Sequence, residues 1–399
     1  MNPKANPAAC IQGAAVAALI SLIFSFTASA QSRTDAPDSA VSYGVSGFMP
    51  AFYTQMKSSL TWPMAWEHSG YRDFCLWKDT ARNIVLECLE NIPPAPASFD
   101  MEIAASEQRE GYTALKIQFN VSEWCRVPAY LLVPEGDGPF PAVLMLHDHG
   151  AHFTIGKEKL IRPFGVSDRI MEDAEAWTEK CYDGVFIGDY FARNGFVVLA
   201  VDALFWGERG RLEGADYDVQ QALASNLLQM GGSWGGIITA DDMRSADFLA
   251  SLDCVDPART GCLGFSMGAY RSWMLAAVSE QIAVSASVCW MNTTEYLMTM
   301  SNNQNKGGSA YSMIVPGLRR YMDYPHTAVL ACPRPALFFN GSRDKLFPVE
   351  GVKDAYTVLR QAWKDNGASD RLVTKIWDET HFFNRQMQEE TLVFFQKWL

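Results

Sequence analysis

The feature that most constrains the fold is a regular alternation of short apolar runs with longer helical stretches after residue 100. The apolar runs have the length and composition of buried strands. They cover residues 112–121, 126–133, 142–146, 196–201, 260–264, 282–289, 336–340 and 372–377. Stretches with helical spacing of apolar residues lie at 239–252, 270–278, 349–366 and 385–399. This alternation predicts a mostly parallel central sheet with helices on both faces.

One serine lies where such a sheet could use it. Gly264-Phe265-Ser266-Met267-Gly268 fits the pattern G-x-S-x-G, with a predicted strand before it and a predicted helix after it. A sharp strand–turn–helix connection exposes a serine hydroxyl at the carboxyl end of the sheet, where chemistry gathers in this architecture. A second match, at 231–235, follows a helical stretch, so no strand delivers Ser233 to that position. The context favours Ser266 as the nucleophile.

A serine nucleophile needs a base to take its proton and an acid to orient that base. In this kind of fold the chain order is serine, acid, histidine. Asp344 follows the predicted strand 336–340, and His381 follows the predicted strand 372–377, so the order holds. We predict the triad Ser266, Asp344 and His381. The alternatives are a turn role for Asp344, a surface role for His381, and a different acid, chosen from Glu350, Asp378 and Glu379.

Backbone N–H groups must face the oxyanion that forms when the serine attacks. We expect one donor at Met267, directly after the nucleophile. The second is expected in the loop after the first predicted parallel strand, His147-Asp148-His149-Gly150. His149 is the first choice, followed by Asp148 or Ala151.

The same loop carries a competing pattern for metal binding. His147, His149 and His152 form H-x-H-x-x-H, which resembles the first zinc signature of metallo-β-lactamase-like hydrolases. That signature has an aspartate directly before its last histidine, where this chain has Ala151, and only His326 and His381 follow. We therefore predict no metal and no other cofactor. The alternatives are a zinc-dependent hydrolase, a serine peptidase or lipase, and an inactive hydrolase kept as a binding module.

The first 30 residues have the pattern of a secretory signal. Lys4 precedes an apolar run over residues 11–26, and Ala28-Ser29-Ala30 supplies the small residues of a cleavage site. The run is short and lacks a charged stop-transfer flank, so stable membrane insertion is not expected. We expect a secreted or periplasmic protein with three segments: a signal peptide at 1–30, a leader and helical extension at 31–99, and a catalytic domain at 100–399.

The net charge limits the classes of binding partner that are expected, and the cysteine content bears on whether disulfides form. The formal net charge of −12 makes nucleic acid and anionic membranes unattractive partners. Eight cysteines follow Cys10, none of them in a C-x-x-C pair, and an oxidising compartment permits disulfides. We expect one or two disulfides, whose pairing the spacing does not assign. The oligomeric state is likewise not encoded in these patterns.

Together the motifs resemble a known family. From residue 100 to the C-terminus the chain resembles the dienelactone-hydrolase and acetyl-xylan-esterase branch of the α/β-hydrolases. The matching stretches are residues 146–150, 202–209, 263–268, 289–293, 340–348 and 381–384. The resemblance implies an α/β-hydrolase fold and ester hydrolysis without a metal, often at acetyl or methyl esters of plant or algal polysaccharides. True dienelactone hydrolases have a cysteine nucleophile, so a small lactone is not the expected substrate.

Four residues at the predicted active edge are candidates for substrate binding. Trp206, Glu208 and Arg209 follow the predicted strand 196–201, and Trp290 ends the strand after the nucleophile helix. Aromatic rings could stack on a sugar, and Arg209 could hold a uronate carboxylate. The alternative is that Trp206 packs beneath its loop while Glu208 and Arg209 pair structurally. The expectation is an exported serine carboxylic-ester hydrolase acting on a small-molecule or polysaccharide ester.

Overall fold

The computed structural model describes residues 44–46, 49–50, 52–211, 213–299 and 308–399. The predicted signal peptide at 1–30 and the leader up to residue 43 lie outside these residues. Residues 44–399 form one compact unit. Within the described part of the chain, no helix has both the length and the apolar character needed to cross a membrane.

A nine-stranded sheet lies at the centre of the described structure, and its spatial order is β11-β10-β9-β8-β6-β7-β5-β4-β3. The strands from β11 to β7 in this order run parallel, and β5, β4 and β3 continue the sheet antiparallel. The predicted mostly parallel sheet is confirmed. A separate ribbon pairs β1 (Val45–Ser46) with β2 (Met49–Pro50). The sheet strands are β3 (Glu102–Arg109), β4 (Tyr112–Ser122), β5 (Cys125–Pro134), β6 (Phe140–Leu146), β7 (Val197–Val201), β8 (Val255–Phe265), β9 (Val284–Val288), β10 (Ala336–Gly341) and β11 (Leu372–Trp377).

Helices cover both faces of this sheet, as the alternation of apolar runs predicts. Alternate side chains of a strand point to opposite faces, and in β6 Leu144 joins one hydrophobic core while Val143 joins the other. The first core includes residues of α2, α6, α7, α9 and α10, and the second includes residues of α3, α4 and α11. The described helices are α1 (Tyr53–Ser58), α2 (Phe74–Cys88), α3 (Asp168–Cys181), α4 (Ile187–Arg193), α5 (Tyr217–Gln229), α6 (Trp234–Ala250), α7 (Met267–Val278), α8 (Thr294–Leu297), α9 (Tyr324–Ala328), α10 (Val349–Asp365) and α11 (Arg385–Trp398).

The helical extension before the sheet shares the first of these cores. The Asp73 side chain accepts hydrogen bonds from the backbone N–H groups of Cys75 and Leu76, which begins α2. One face of α2 is buried through Trp77 and Val85, at a spacing that returns to the same side of the helix. Residue 100 therefore marks a change of element type within one core.

Two features of the described fold differ from what the sequence patterns predict. Strand β3 was not expected, because its sequence has few apolar side chains and all but two of its residues are exposed. The expected disulfides are not formed, since all eight cysteines are free thiols in the structure. Two of them, Cys262 and Cys289, are buried in or directly after central strands, where a thiol packs as a small apolar group.

The topology places the functional edge at the carboxyl ends of the parallel strands. Along the chain, β6 is followed by β7 on one side and by β8 on the other. Ligands bind at such switch points in open α/β sheets. Ser266 directly follows β8, and His147 directly follows β6.

Candidate active site

Ser266 occupies a sharp turn between β8 and α7. Its backbone has φ of 56° and ψ of −123°, a conformation that residues other than glycine rarely adopt. A Cβ on Gly264 would overlap the backbone of Gly268, and a Cβ on Gly268 would overlap the carbonyl oxygen of Leu146. Glycine is required at both positions because the strand, the helix and the end of β6 approach so closely.

The three residues predicted as a triad are brought together by this turn and two other strand ends. The Ser266 Oγ lies 2.8 Å from Nε2 of His381, and Nδ1 of His381 lies 2.6 Å from Oδ2 of Asp344. If the proton of the imidazole is on Nδ1, Nε2 is free to accept from the serine hydroxyl. The arrangement therefore suits proton transfer from Ser266 to His381.

The acid is held more firmly than the base. The side chain of Asp344 is fully buried, and its Oδ1 accepts a hydrogen bond of 2.8 Å from the N–H of Leu346. The His381 side chain is 23% exposed and packs between the rings of Phe265 and Phe347. The imidazole is thus oriented from three sides and still open toward solvent, as a group that exchanges protons with water requires.

The substitutes considered for the acid have other contacts. Asp378 pairs with the Arg343 guanidinium at 2.9 Å on the surface. Glu379 accepts from its neighbour Thr380 and from Asn384, and these hydrogen bonds outweigh its partial burial and lower its pKa. Glu350 is exposed in the first turn of α10. Of the four carboxylates, only Asp344 has a hydrogen bond to His381 in the structure.

The second G-x-S-x-G match has a local structural role. Ser233 is buried at the start of α6, where its Oγ accepts a hydrogen bond of 3.0 Å from the N–H of Gly236. A serine before a helix commonly satisfies a free N–H in this way. The same five-residue pattern therefore appears once at a strand–helix turn and once as a helix cap.

The two predicted oxyanion donors belong to neighbouring strand ends. Met267 is the first residue of α7, so its N–H has no acceptor within the helix. His149 lies in the loop after β6, and the last residue of β6, Leu146, pairs with Gly264 of β8. The loop and the serine turn thus leave the sheet side by side.

The histidines of the H-x-H-x-x-H pattern do not converge on one point. Nε2 of His147 accepts from the N–H of Ala203, and its Nδ1 lies 2.8 Å from the carbonyl oxygen of Asp148. Nδ1 of His149 accepts from the N–H of Ala151. His152 stacks on the Trp177 ring. In the described chain, two groups of three side chains are close enough together to hold a metal ion, and neither includes these histidines: Cys289, Asp344 and His381, and Glu158, Asp202 and Glu208.

Burial keeps two of these histidines neutral. Burial, followed by the charge of Lys159, lowers the pKa of His149 to about 3. Burial, followed by the charge of Arg271, holds the pKa of His147 well below its ordinary value. In the unfolded chain both imidazoles bind a proton as the pH falls below 6.5.

We therefore expect stability to fall as the pH is lowered from 6.5 toward 4. In this pH range the unfolded state binds protons that the folded state does not bind. Each such histidine lowers the free energy of unfolding by about 1.4 kcal/mol per pH unit. The measurement is the free energy of unfolding in denaturant at several pH values, for wild type and His149→Asn. In the variant, the slope of the unfolding free energy against pH should be smaller by the equivalent of about one proton. Equal slopes for the two proteins would show that His149 is charged in the folded state.

The four predicted substrate-binding residues are mostly not available to a substrate. Trp206 and Trp290 are buried, because Trp206 packs against Phe153 and Trp290 packs against Phe347. The side chain of Arg209 is 7% exposed and pairs with Asp241 at 2.7 Å. The prediction of direct contact is therefore wrong for these three, and the structural alternative fits them.

Glu208 differs from the other three candidates because it is exposed. Its carboxylate lies 2.7 Å from the ammonium of Lys157 and 3.0 Å from that of Lys116. Burial opposes its ionisation, but these two lysines outweigh burial and lower the pKa of Glu208. An ionised Glu208 therefore serves first to neutralise Lys157.

Sequence reasoning missed the buried charges beneath the site. Lys157, Glu158 and Lys159 form a short 3-10 helix whose side chains are buried, although the run has the composition of a solvated surface. Asp202 accepts from both the N–H and the ammonium of Lys157 and from the N–H of Glu208, which ties two loops together. No local pattern announces these contacts, because the partners are 45 residues apart.

Comparison with known proteins agrees with this architecture. YtaP of Bacillus subtilis (strain 168), a protein named as a hydrolase, is 27% identical over 308 residues, which are 77% of this chain and 95% of YtaP. A Bacteroides fragilis NCTC 9343 structure described as an acetyl xylan esterase superposes with a TM-score of 0.64 at 21% identity, over 81% of this chain and 80% of that one. A glucuronoyl esterase from Solibacter usitatus gives 0.59 at 14% identity, over 81% and 93%.

These structural likenesses, at such low identity, concern the fold. The sequence match to a family extends over residues 31–368, which include the G-x-S-x-G turn and Asp344 and stop before His381. With a mostly parallel sheet and a serine turn at its switch point, the chain belongs to the Abhydrolase family, within the α/β-hydrolase superfamily.

Proposed function

We propose that the protein is a serine carboxylic-ester hydrolase with Ser266 as nucleophile, His381 as base and Asp344 as the orienting acid. The observation that carries this proposal is the continuous pair of hydrogen bonds, 2.8 Å and 2.6 Å, from Ser266 Oγ through His381 to a fully buried Asp344. Such a chain activates a hydroxyl that is otherwise a weak nucleophile. The strained serine backbone supports the same role, because strain of this kind clusters at active sites.

The geometry supports a two-step acyl transfer. His381 Nε2 takes the proton of Ser266 as Oγ bonds to the ester carbonyl carbon, and the oxyanion accepts from the N–H groups of Met267 and His149. Collapse breaks the bond to the alcohol oxygen, which leaves with the proton from His381. Water then gives its proton to His381, attacks the acyl-Ser266 carbonyl and releases the acid, and the proton returns to Oγ. No step requires a metal.

For the substrate class we propose acetyl or methyl esters of polysaccharides. Two structural neighbours are named for carbohydrate esters, an acetyl xylan esterase and a glucuronoyl esterase. The Ala28-Ser29-Ala30 cleavage pattern supports export, which suits a polymer outside the cell. Recovery of a mature chain that begins at Gln31 would establish export, and an intact Met1 terminus in the cell would contradict it.

The test of the substrate class is a release assay with acetylated xylan and methylated pectin. We expect acetate from the first or methanol from the second, because each product identifies the acyl or alcohol half that is released. Small aryl acetates serve as the control for a working active site. Hydrolysis of aryl acetates with neither product from any polysaccharide would remove the carbohydrate proposal and leave the esterase proposal intact.

A further inference from the structure

Three consecutive backbone carbonyls in the loop after β6 are bound by buried side chains. Nη1 of Arg271 donates to the carbonyl oxygen of His147 at 3.3 Å. The ammonium of Lys159 donates to the carbonyl oxygens of both Asp148 and His149, each at 3.0 Å. Nε1 of Trp206 donates to the same His149 oxygen at 3.2 Å. The Asp148 oxygen also lies 2.8 Å from Nδ1 of His147. Two cations, an indole and an imidazole thus hold these carbonyls toward the interior.

Lys159 is itself tightly placed. Its side chain is fully buried, its ammonium lies 3.5 Å from Oδ1 of Asp148, and it sits 4.9 Å from the centre of the Trp177 ring. Oδ2 of Asp148 accepts from Nε1 of Trp177 at 3.1 Å and from the hydroxyl of Tyr182 at 2.7 Å. Burying an ammonium is costly unless it is paired and hydrogen-bonded. Here it has both a carboxylate and two carbonyl partners.

The carbonyl contacts determine where the N–H groups of the loop point. In a planar trans peptide the C=O and the N–H of the next residue point in opposite directions. The peptide between Asp148 and His149 has its oxygen held by Lys159 and carries the N–H of His149. This N–H therefore points away from the buried ammonium. The loop leaves the sheet beside the serine turn, because Leu146 pairs with Gly264.

We propose that Lys159 is a positioning residue for the oxyanion site: it holds the Asp148 carbonyl inward and thereby aims the His149 N–H at the substrate oxyanion. Its positive charge on the carbonyl side also polarises that peptide, which makes the N–H a stronger donor. The inference rests on the proposed function, because it concerns the oxyanion formed when Ser266 attacks.

The test compares an oxygen ester with the corresponding thionoester in Lys159→Met. Sulfur is a weak hydrogen-bond acceptor, so an oxyanion site favours the oxygen ester. Loss of folded enzyme lowers both rates equally and leaves their ratio unchanged. We expect kcat for the oxygen ester to fall roughly 10- to 100-fold with little change in KM. The ratio of kcat/KM for the oxygen ester to kcat/KM for the thionoester should fall about tenfold or more.

The matched control is Lys180→Met. The ammonium of Lys180 also sits over the Trp177 ring, at 4.8 Å, and Lys180 is exposed. This variant removes a lysine from the same indole and should keep the wild-type ratio. If Lys159→Met does not fold, Lys159→Gln decides by the same criterion, since it removes the ammonium that holds the Asp148 carbonyl and keeps a polar side chain in the buried site. A fall of about threefold in the ratio is expected there.

The outcomes are separable. A ratio that stays at the wild-type value in Lys159→Met, or in Lys159→Gln where that variant decides, overturns the inference, and so does an equal fall in Lys180→Met. Retained activity of Ser266→Ala toward the oxygen ester would instead overturn the proposed function. An enzyme that depends on Ser266 but has an unchanged ratio would contradict the role of Lys159 alone.

Discussion

Replacing Ser266 with alanine is expected to lower kcat for ester hydrolysis by about four orders of magnitude or more. The change removes the oxygen that lies 2.8 Å from Nε2 of His381, so no acyl-enzyme can form. Water attack assisted by the remaining groups accounts for the residual rate. The measurement is steady-state hydrolysis of an aryl acetate, with active sites counted by a fluorophosphonate that labels the serine of the wild type.

The chain carries its own matched control for this variant. Ser233→Ala changes the same residue type in the same five-residue pattern, but it removes a helix cap at the start of α6. We expect wild-type kcat and a loss of about 1 kcal/mol in the free energy of unfolding. Loss of activity in Ser233→Ala with retention in Ser266→Ala would reverse the assignment of the nucleophile.

A chelator separates the serine reaction from zinc chemistry in the same assay. Both ring nitrogens of His147 and the Nδ1 of His149 contact backbone groups of the protein, so these nitrogens are not arranged around a shared metal position. Dialysis against a strong chelator is therefore expected to leave kcat unchanged. Activity that disappears on chelation and returns with zinc would establish a metal-dependent hydrolase.

The second large effect is expected for Asp344→Asn, with kcat falling by roughly four orders of magnitude. An amide can donate to the imidazole and so favours the tautomer that has its proton on Nε2, which cannot accept from the serine. The variant also loses the charge that stabilises the imidazolium in the transition state. Because Oδ1 can still accept from the N–H of Leu346, the fold and the thermal midpoint should change little.

Glu379→Gln and Asp378→Asn are the controls for the acid. Both residues lie between β11 and His381, and their carboxylates bond to Thr380, Asn384 or Arg343. Each amide variant should keep kcat within about threefold of wild type, because surface interactions of this kind contribute little. Near-normal kcat in Asp344→Asn, together with collapse in either control, would move the acid to the other residue.

The sequence was sufficient for the overall class of fold and for the residues proposed as a triad. The parallel strands and the helices between them carry their signals locally, since buried strands are continuous apolar runs and the helices repeat their apolar residues every turn. The order of Ser266, Asp344 and His381 along those strand ends is also a property of the chain. Strand β3 escaped prediction because an exposed edge strand needs no apolar pattern.

Other features were decided by tertiary contacts. From their sequence positions, Trp206, Arg209 and Trp290 are expected at the active edge. Ring packing buries the two tryptophans, and the pair with Asp241 holds Arg209 inside. Lys157 and Lys159 have the pattern of surface charges, yet both ammonium groups are buried. Asp202, which binds the ammonium of Lys157, is 45 residues away along the chain, and Asp148, which binds that of Lys159, is 11 residues away. The local sequence determined which elements form and in which order, whereas burial and charge pairing depend on which distant groups the fold brings within a few ångströms.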